Sequence, residues 1–297
     1  MTVNPNGARE QFVDLHTHST ASDGARRPAD VVREAQRAGL SAVALTDHDT
    51  IDGLSEARDA GRELGVRVIA GVELSAVEDT IETHVLGLHL GDPTSLELDL
   101  ARLRRMRVAR AEQMVERLNA LGVRITFSDV LEQAAGGAVG RPHIARALMS
   151  HGWAVDMRDA FDRYLGNGRS AFVPKDQLPI TEAIAMIHRA RGLAILAHPG
   201  TSGTRDRIEA LAANGLDGVE TRHPSHGAED IARLTVLVDH FGLVPSGGSD
   251  WHGATDGNRV LGMMRVPADW VVRQEARIAR RSPELESGDP RAHIDVA

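Results

Sequence analysis

The chain has 297 residues, a formal net charge of −8, 42% hydrophobic and 3% aromatic residues, and no cysteine. That length fits one barrel domain or a barrel with an insertion, and the core must be aliphatic. Disulfides and thiolate-held metal centres are excluded, and the acidic balance argues against a broad electrostatic footprint on long nucleic acid.

In chain order, Phe12 to His16 reads as a strand, followed by a polar loop. Pro28 opens a helix over Ala29 to Ala38, ended by Gly39. Ser41 to Thr46 is a second strand, Gly53 to Leu64 a helix, Val66 to Leu74 a third strand and Thr83 to Leu90 a fourth. The pattern then turns helical. Thr94 to Leu121 is long and charged, and Ser128 to Ala134, Pro142 to His151 and Val155 to Tyr164 are shorter helices. The Arg-rich run RLRRMRVAR reads as the solvated face of the long helix, with Leu103, Met106 and Met114 as its apolar stripe. Alternation then resumes: helix Ile180 to Arg191, strand Leu193 to Ala197, helix Arg205 to Asn214, strand Leu216 to Thr221, helix Ala228 to Phe241 and strand Leu243 to Ser246. Repeated β-then-α predicts a parallel sheet or barrel. The expected organisation is a barrel in two parts, 10–95 and 173–266, split by a helical insertion, 96–172. A tail, 267–297, follows as a helix that turns polar and mobile from Ser282.

No apolar run approaches the roughly 18–20 residues of a membrane span. The polar Met1 to Arg9 lacks a signal-peptide hydrophobic region. A cytoplasmic protein with no membrane contact and no obligate protein partner is the expectation.

Nine residues of metal-ligand type stand at or near the ends of the apolar runs: His16, His18, Asp23, His48, Glu73, His84, His198, Asp250 and His252. Residues two apart on a strand share a face, so Asp14, His16 and His18 point one way. Asp250 and His252 repeat that spacing after a glycine pair that lets the backbone turn sharply. In VALTDHDT an apolar strand opens into Asp47-His48-Asp49, and spacing leaves open which of the three meets a metal and which orients a histidine. Glu73 alone is weak evidence. His84, Leu86 and Leu88 share one face and His89 lies on the other. Pro199-Gly200 presents His198 at the barrel mouth. Side chains from so many strands converge only in a barrel or closed sheet, and imidazoles mixed with carboxylates hold divalent transition metals.

The segments HTHSTASDG, LTDHDT, GVELS, ETHVLG, LAHPG and GSDWHG resemble the PHP (polymerase and histidinol phosphatase) family. The resemblance implies an α/β fold, a distorted, TIM-like (β/α)7 barrel with a small helical insertion. It implies two or three divalent ions, manganese first, with iron or zinc also suited. One ion would lie on His16, His18, Glu73 and Asp250, a second on a bridging Glu73 with His84 and His198, and a third on Asp23, His48 and His252. GRPHIARAL is similar to the branch of standalone bacterial phosphoesterases acting on 3′,5′-nucleotide bisphosphates or, as 5′-to-3′ exoribonucleases, on short RNA. There Arg141 would clamp a phosphate. His143, Lys175 (AFVPKD) and His223 (HPSH) are further catalytic candidates. The chemistry expected is attack by a metal-bridging hydroxide on a phosphomonoester or terminal phosphodiester, with His223 or a water protonating the leaving oxygen. Few aromatics limit base stacking, which favours a mononucleotide or short oligonucleotide over long RNA. Histidinol-phosphate phosphatase is the alternative activity. A non-catalytic metal-binding or polymerase-accessory module is the alternative from another class.

Overall fold

The computed structural model describes residues 10–78, 81–174, 178–253 and 259–286, with side chains to 281. Strands β1 (Phe12–Asp14), β2 (Ala42–Leu45), β3 (Arg67–Glu78), β4 (Ile81–Leu88), β5 (Leu193–Leu196), β6 (Gly218–Arg222), β7 (Val244–Gly247) and β8 (Val266–Pro267) form one sheet in the order β7-β6-β5-β4-β3-β2-β1-β8. The sheet curls into a nearly closed barrel. Beyond β1 the chain stays extended and meets the extension of β7: Leu15 N–H donates to Gly247 O at 3.1 Å, Asp250 N–H to His16 O at 2.9 Å and His18 N–H to Trp251 O at 2.9 Å.

The sheet is not wholly parallel. β4 runs antiparallel to both β3 and β5. The reason is connection length: only residues 79–80 join β3 to β4, whereas a parallel crossover needs about a dozen or more. Glu73 is therefore not a strand-end residue. β3 runs on past it to Glu78, pairing Ser75 with His84.

Alternation along the strands sorts the core. Ala42, Ala44, Ile69, Leu86, Leu88, Leu193 and Ile195 fill the barrel interior. Val43, Leu45, Val72, Leu74, Val85, Leu196 and Val219 face the outer helices. Those helices are α1 (Pro28–Arg37), α2 (Leu54–Leu64), α7 (Ile180–Arg189), α8 (Arg205–Ala213) and α9 (Ala228–His240). Each inward row is apolar toward one end of the barrel and polar toward the other: Ile69, Gly71, Glu73 on β3; Leu88, Leu86, His84 on β4; Gly218, Glu220 on β6. The apolar end makes the core and the polar end makes the site.

The helical block comprises α3 (Glu97–Ala120), α4 (Phe127–Ala134), α5 (Arg141–Ser150), α6 (Met157–Ala160) and a π-helical turn, Phe161–Leu165. It has its own apolar cluster, including Met114, Leu118, Val130, Ile144, Leu148 and Leu165. The start of α3 packs elsewhere: Leu100 and Leu103 belong to the barrel's outer cluster. Helix α10 (Asp269–Glu286) continues past Ser282, so the change to polar composition there does not end it. Residues 287–297 of the expected mobile tail lie outside the described residues. Among the described residues, no helix is long and apolar enough to cross a membrane.

Candidate metal centre

The pairing of the β1 and β7 extensions explains why the His16/His18 and Asp250/His252 motifs share a spacing: they lie side by side on neighbouring extended segments. The glycine pair serves this pairing through close approach rather than a turn. A Cβ on Gly248 would meet His16 N and Cβ at 2.5 Å. The strained backbone is one step further on, at Asp250, with φ +49°. His48 follows β2 and is bridged to Glu73, with Asp49 N–H donating to Glu73 O at 3.0 Å. His84 enters from the start of β4, which lies at the same mouth because β4 is reversed.

All nine expected ligands converge. His16 Nε2 lies 3.1 Å from His18 Nε2, and both lie 3.2 Å from Glu73 Oε2. Asp250 Oδ1 is 3.4 Å from His16 Nε2 and 3.2 Å from His18 Nε2. Glu73 Oε1 lies 2.7 Å from His84 Nδ1 and 3.2 Å from His198 Nε2. His252 Nε2 lies 3.3 Å from Asp23 Oδ1, and His48 Nε2 is 4.0 Å from Asp23 Oδ2. Among the described residues, the clusters able to hold an ion are His16-His18-Asp250, His48-Glu73-His84, His18-Asp23-His48-His252 and His16-Glu220-His223. His18 and His48 thus sit between clusters, His48 with Nδ1 3.3 Å from Glu73 Oε2, where the resemblance gave each histidine one ion.

The donor set fits metal ions. Tetrahedral bonds of about 2.0–2.1 Å place ligand atoms roughly 3.3 Å apart, close to the separations around His16, His18, Glu73 and Asp250. Nδ1 of His18 and of His48 are buried without a hydrogen-bond partner, a cost that a ligated ion would remove.

Electrostatics point the same way. Burial opposes ionisation of Glu73, but His48, His16 and His84 hold its carboxyl well below the usual range. Burial likewise opposes the charged forms of Asp23 and Asp250. His48 and His252 outweigh it at Asp23, and His16 and His18 do so at Asp250. Burial lowers His18, yet Asp250 and Glu73 push it up to about 10. Burial also lowers His16, and Glu220, Glu73 and Asp250 raise it well above its usual value. The ionised carboxylates thus demand cations, which protonated imidazoles supply in the metal-free chain. Two imidazolium N–H groups 3.1 Å apart are poor substitutes for an ion between them.

Asp14, expected on the same face as His16 and His18, is not in the cluster. It accepts the N–H groups of Ser249 at 2.9 Å and Gly262 at 2.8 Å and pins loops. Asp47 accepts from Ser19 N–H at 2.7 Å and Ser22 Oγ at 2.6 Å, which fixes the loop carrying Asp23. Asp49 accepts from Ser75 N–H at 2.9 Å and pairs with Arg107. His89 turns away to Gln274, at 2.8 Å.

Arg141 opens α5, donates to Glu82 at 2.9 Å and Asn167 at 3.1 Å, and packs over Phe161 and Phe172. It lines a cleft shared by Asp23, His48 and His84 of the cluster and by Arg107, Arg110, Met114 and Phe161. His223 is buried, with Nε2 3.4 Å from Asp250 Oδ2. Its Nδ1 accepts Ser225 N–H at 3.1 Å, so the ring proton sits on Nε2. His143 is buried near the start of α5. Its Nδ1 accepts Gly140 N–H at 3.0 Å, and burial lowers its pKa to about 4. Lys175 lies outside the described residues.

The sequence reading missed four residues. Arg107 and Arg110 of the Arg-rich run line the cleft instead of facing solvent. Arg259 pairs with Asp250. Glu220, fully buried on β6, lies 3.2 Å from His16 Nδ1. The available signal for Glu220 was an acidic residue at an inward position of an apolar strand.

This is an α/β barrel with a metal-type donor cluster at one mouth and an arginine-lined cleft beside it. The PHP domain family matches residues 14–191. A 3′,5′-nucleoside bisphosphate phosphatase of Chromobacterium violaceum is 35% identical over 84% of this chain and 90% of its own length. A 5′-3′ exoribonuclease of Haemophilus influenzae is 37% identical over 80% of this chain and 89% of its own. A crystal structure from Bifidobacterium adolescentis, assigned as a metal-dependent phosphoesterase, superposes with a TM-score of 0.84 at 33% identity, covering 90% of this chain and 96% of that one. The chain belongs to the PHP domain family and is a metal-dependent phosphoesterase.

Proposed function

We propose that the chain hydrolyses a phosphate ester of a small nucleotide, a 3′,5′-nucleoside bisphosphate or the 5′ end of a short RNA. The observation carrying this reading is the single cleft that joins cluster residues Asp23, His48 and His84 to Arg107, Arg110 and Arg141. A substrate with two phosphates can set one against the cluster and the other against the guanidinium wall. The names of the relatives from C. violaceum and H. influenzae support the same substrate class.

The nine ligands are His16, His18, Asp23, His48, Glu73, His84, His198, Asp250 and His252. Divalent ions held there, manganese first, would supply a nucleophile at neutral pH and neutralise phosphoryl charge. The chain's own groups do the rest. Arg141 holds the non-reacting phosphate, since planar guanidinium suits two-point contact. His223 Nε2–H, beside Asp250, donates a hydrogen bond to the leaving oxygen, which takes its proton from water. The helical block 96–172 acts as a unit that brings arginines to a cluster built by the barrel. Histidinol phosphate, with its ammonium group, fits this wall poorly because like charges would face each other.

The test is hydrolysis by the Mn-loaded protein of 3′-phosphoadenosine 5′-phosphate, a 5′-phosphorylated RNA dinucleotide and histidinol phosphate. Turnover of the first two is expected. Turnover of histidinol phosphate alone overturns the nucleotide reading, and turnover of none at full metal occupancy supports a binding module.

A further inference from the structure

His198 carries a left-handed φ of +30°, a conformation disfavoured for a residue with a side chain. Two buried groups hold the turn. Glu220 Oε2 accepts the His198 N–H at 2.8 Å, and His226 Nε2 accepts the Gly200 N–H at 3.0 Å. His226 in turn donates from Nδ1 to Thr221 O at 3.0 Å. Glu220 does a second thing. Its Oε1 and Oε2 lie 3.2 and 3.3 Å from Nδ1 of His16, the ring nitrogen opposite the one that meets Glu73 and Asp250.

We infer that Glu220 is a positioning residue shared by two metal subsites, the one on His16 and the one on His198. This rests on the metal reading above. By taking the Nδ1–H of His16 it fixes the tautomer, so that Nε2 offers a lone pair. A carboxylate in that place also raises the ring's basicity as a ligand. By taking the His198 N–H it holds the strained turn that keeps His198 Nε2 3.2 Å from Glu73. One carboxylate thus ties together two ligands 182 positions apart in sequence, and His226 reinforces only the second.

Glutamine at 220 keeps one accepting oxygen and replaces the other with a donor. It cannot serve both N–H groups with the same geometry. Glu220→Gln is therefore expected to weaken more than one site together, whereas His226→Ala weakens only the site containing His198. His226→Gln, which retains an acceptor near the Nε2 position, restores it.

The experiment is equilibrium dialysis of the chelator-stripped chain against graded Mn(II), with bound metal counted by elemental analysis and fold checked by circular dichroism. Glu220→Gln is expected to lower affinity by about 10- to 100-fold at two sites with the fold retained. Unchanged affinity and stoichiometry in a folded Glu220→Gln chain overturns the inference. Should that variant not fold, Glu220→Asp, which keeps the carboxylate but shortens its reach to His16 and His198, decides: unchanged Mn binding by that variant overturns the inference, and weakened binding at two sites supports it. A wild-type chain that binds no Mn(II), Fe(II) or Zn(II) defeats the metal reading itself, a result distinct from either.

Discussion

Arg141 and His143 stand two residues apart on α5 and face different tasks. Arg141 reaches the cleft, and its partners Glu82 and Asn167 hold the guanidinium in place. A charged hydrogen bond is worth about 1.5–3 kcal/mol. Arg141→Ala is therefore expected to lower kcat/KM for a nucleoside bisphosphate by about 10- to 100-fold with bound metal unchanged, and steady-state kinetics with metal analysis check this. His143 works as a neutral acceptor, and its pKa of about 4 lies below the unfolded value of 6.5. The unfolded chain then binds the extra proton between those values, so stability is complete above about pH 6.5 and falls as pH drops toward 4. At about 1.4 kcal/mol per pH unit the loss approaches roughly 3 kcal/mol. His143→Asn keeps an acceptor near the Nδ1 position but does not titrate. The melting-temperature difference between wild type and variant should shift in the variant's favour from pH 7 to pH 4.5. A constant difference would show that His143 contributes nothing to the acid limb.

At the scale of elements, helix α3 joins the two apolar clusters. Its first turns pack on the barrel through Leu100 and Leu103, and its last turns pack in the helical block through Met114 and Leu118. Arg107 and Arg110 fall where the buried face changes over, which is why a single apolar stripe misreads them as solvated. The strand ligands were legible because an apolar run ending in His or Asp has few other uses, and because the His16/His18 and Asp250/His252 spacings match the pleat. The direction of β4 was not legible from its own composition, since alternation is the same whichever way a strand runs. Glu220 was hidden because its importance lies in partners far away in sequence. Leu118 is fully buried in the helical cluster, and a Leu→Ala change at such a site costs about 2–5 kcal/mol. Leu118→Ala should therefore loosen the arginine wall and raise KM while Mn(II) binding persists. Loss of metal together with the wall would show that the helical block and the barrel site are one cooperative unit.

The whole molecule has one sealed end and one open end. At the sealed end α10 covers the barrel. Asp217 Oδ2 takes His188 at 2.8 Å, Ala194 N–H at 3.0 Å and Arg281 at 2.9 Å, and Gln274 donates to Pro245 O at 2.8 Å. At the open end ionised carboxylates are crowded among imidazoles, and the metal-free chain balances them with protons. His18, raised to about 10 from 6.5, contributes stability to the metal-free fold that is complete below pH 6.5 and lost as pH rises toward 10. Metal binding must displace that proton, so affinity rises over the same interval. The stabilisation that metal provides is set by this affinity for the folded chain and so grows with pH. Metal at about 100 times its dissociation constant contributes about 2.7 kcal/mol, and each 1 kcal/mol moves the midpoint by roughly 2–4 °C in a domain of this order of size. The Mn-loaded chain should therefore melt several degrees above the chelated chain at pH 7.5, with the gap shrinking toward pH 6 and widening toward pH 9. Asp217→Asn, which weakens the sealed end alone, should lower both melting temperatures and leave the gap unchanged. A gap independent of pH would mean that no proton leaves the site when metal enters, contrary to the raised His18.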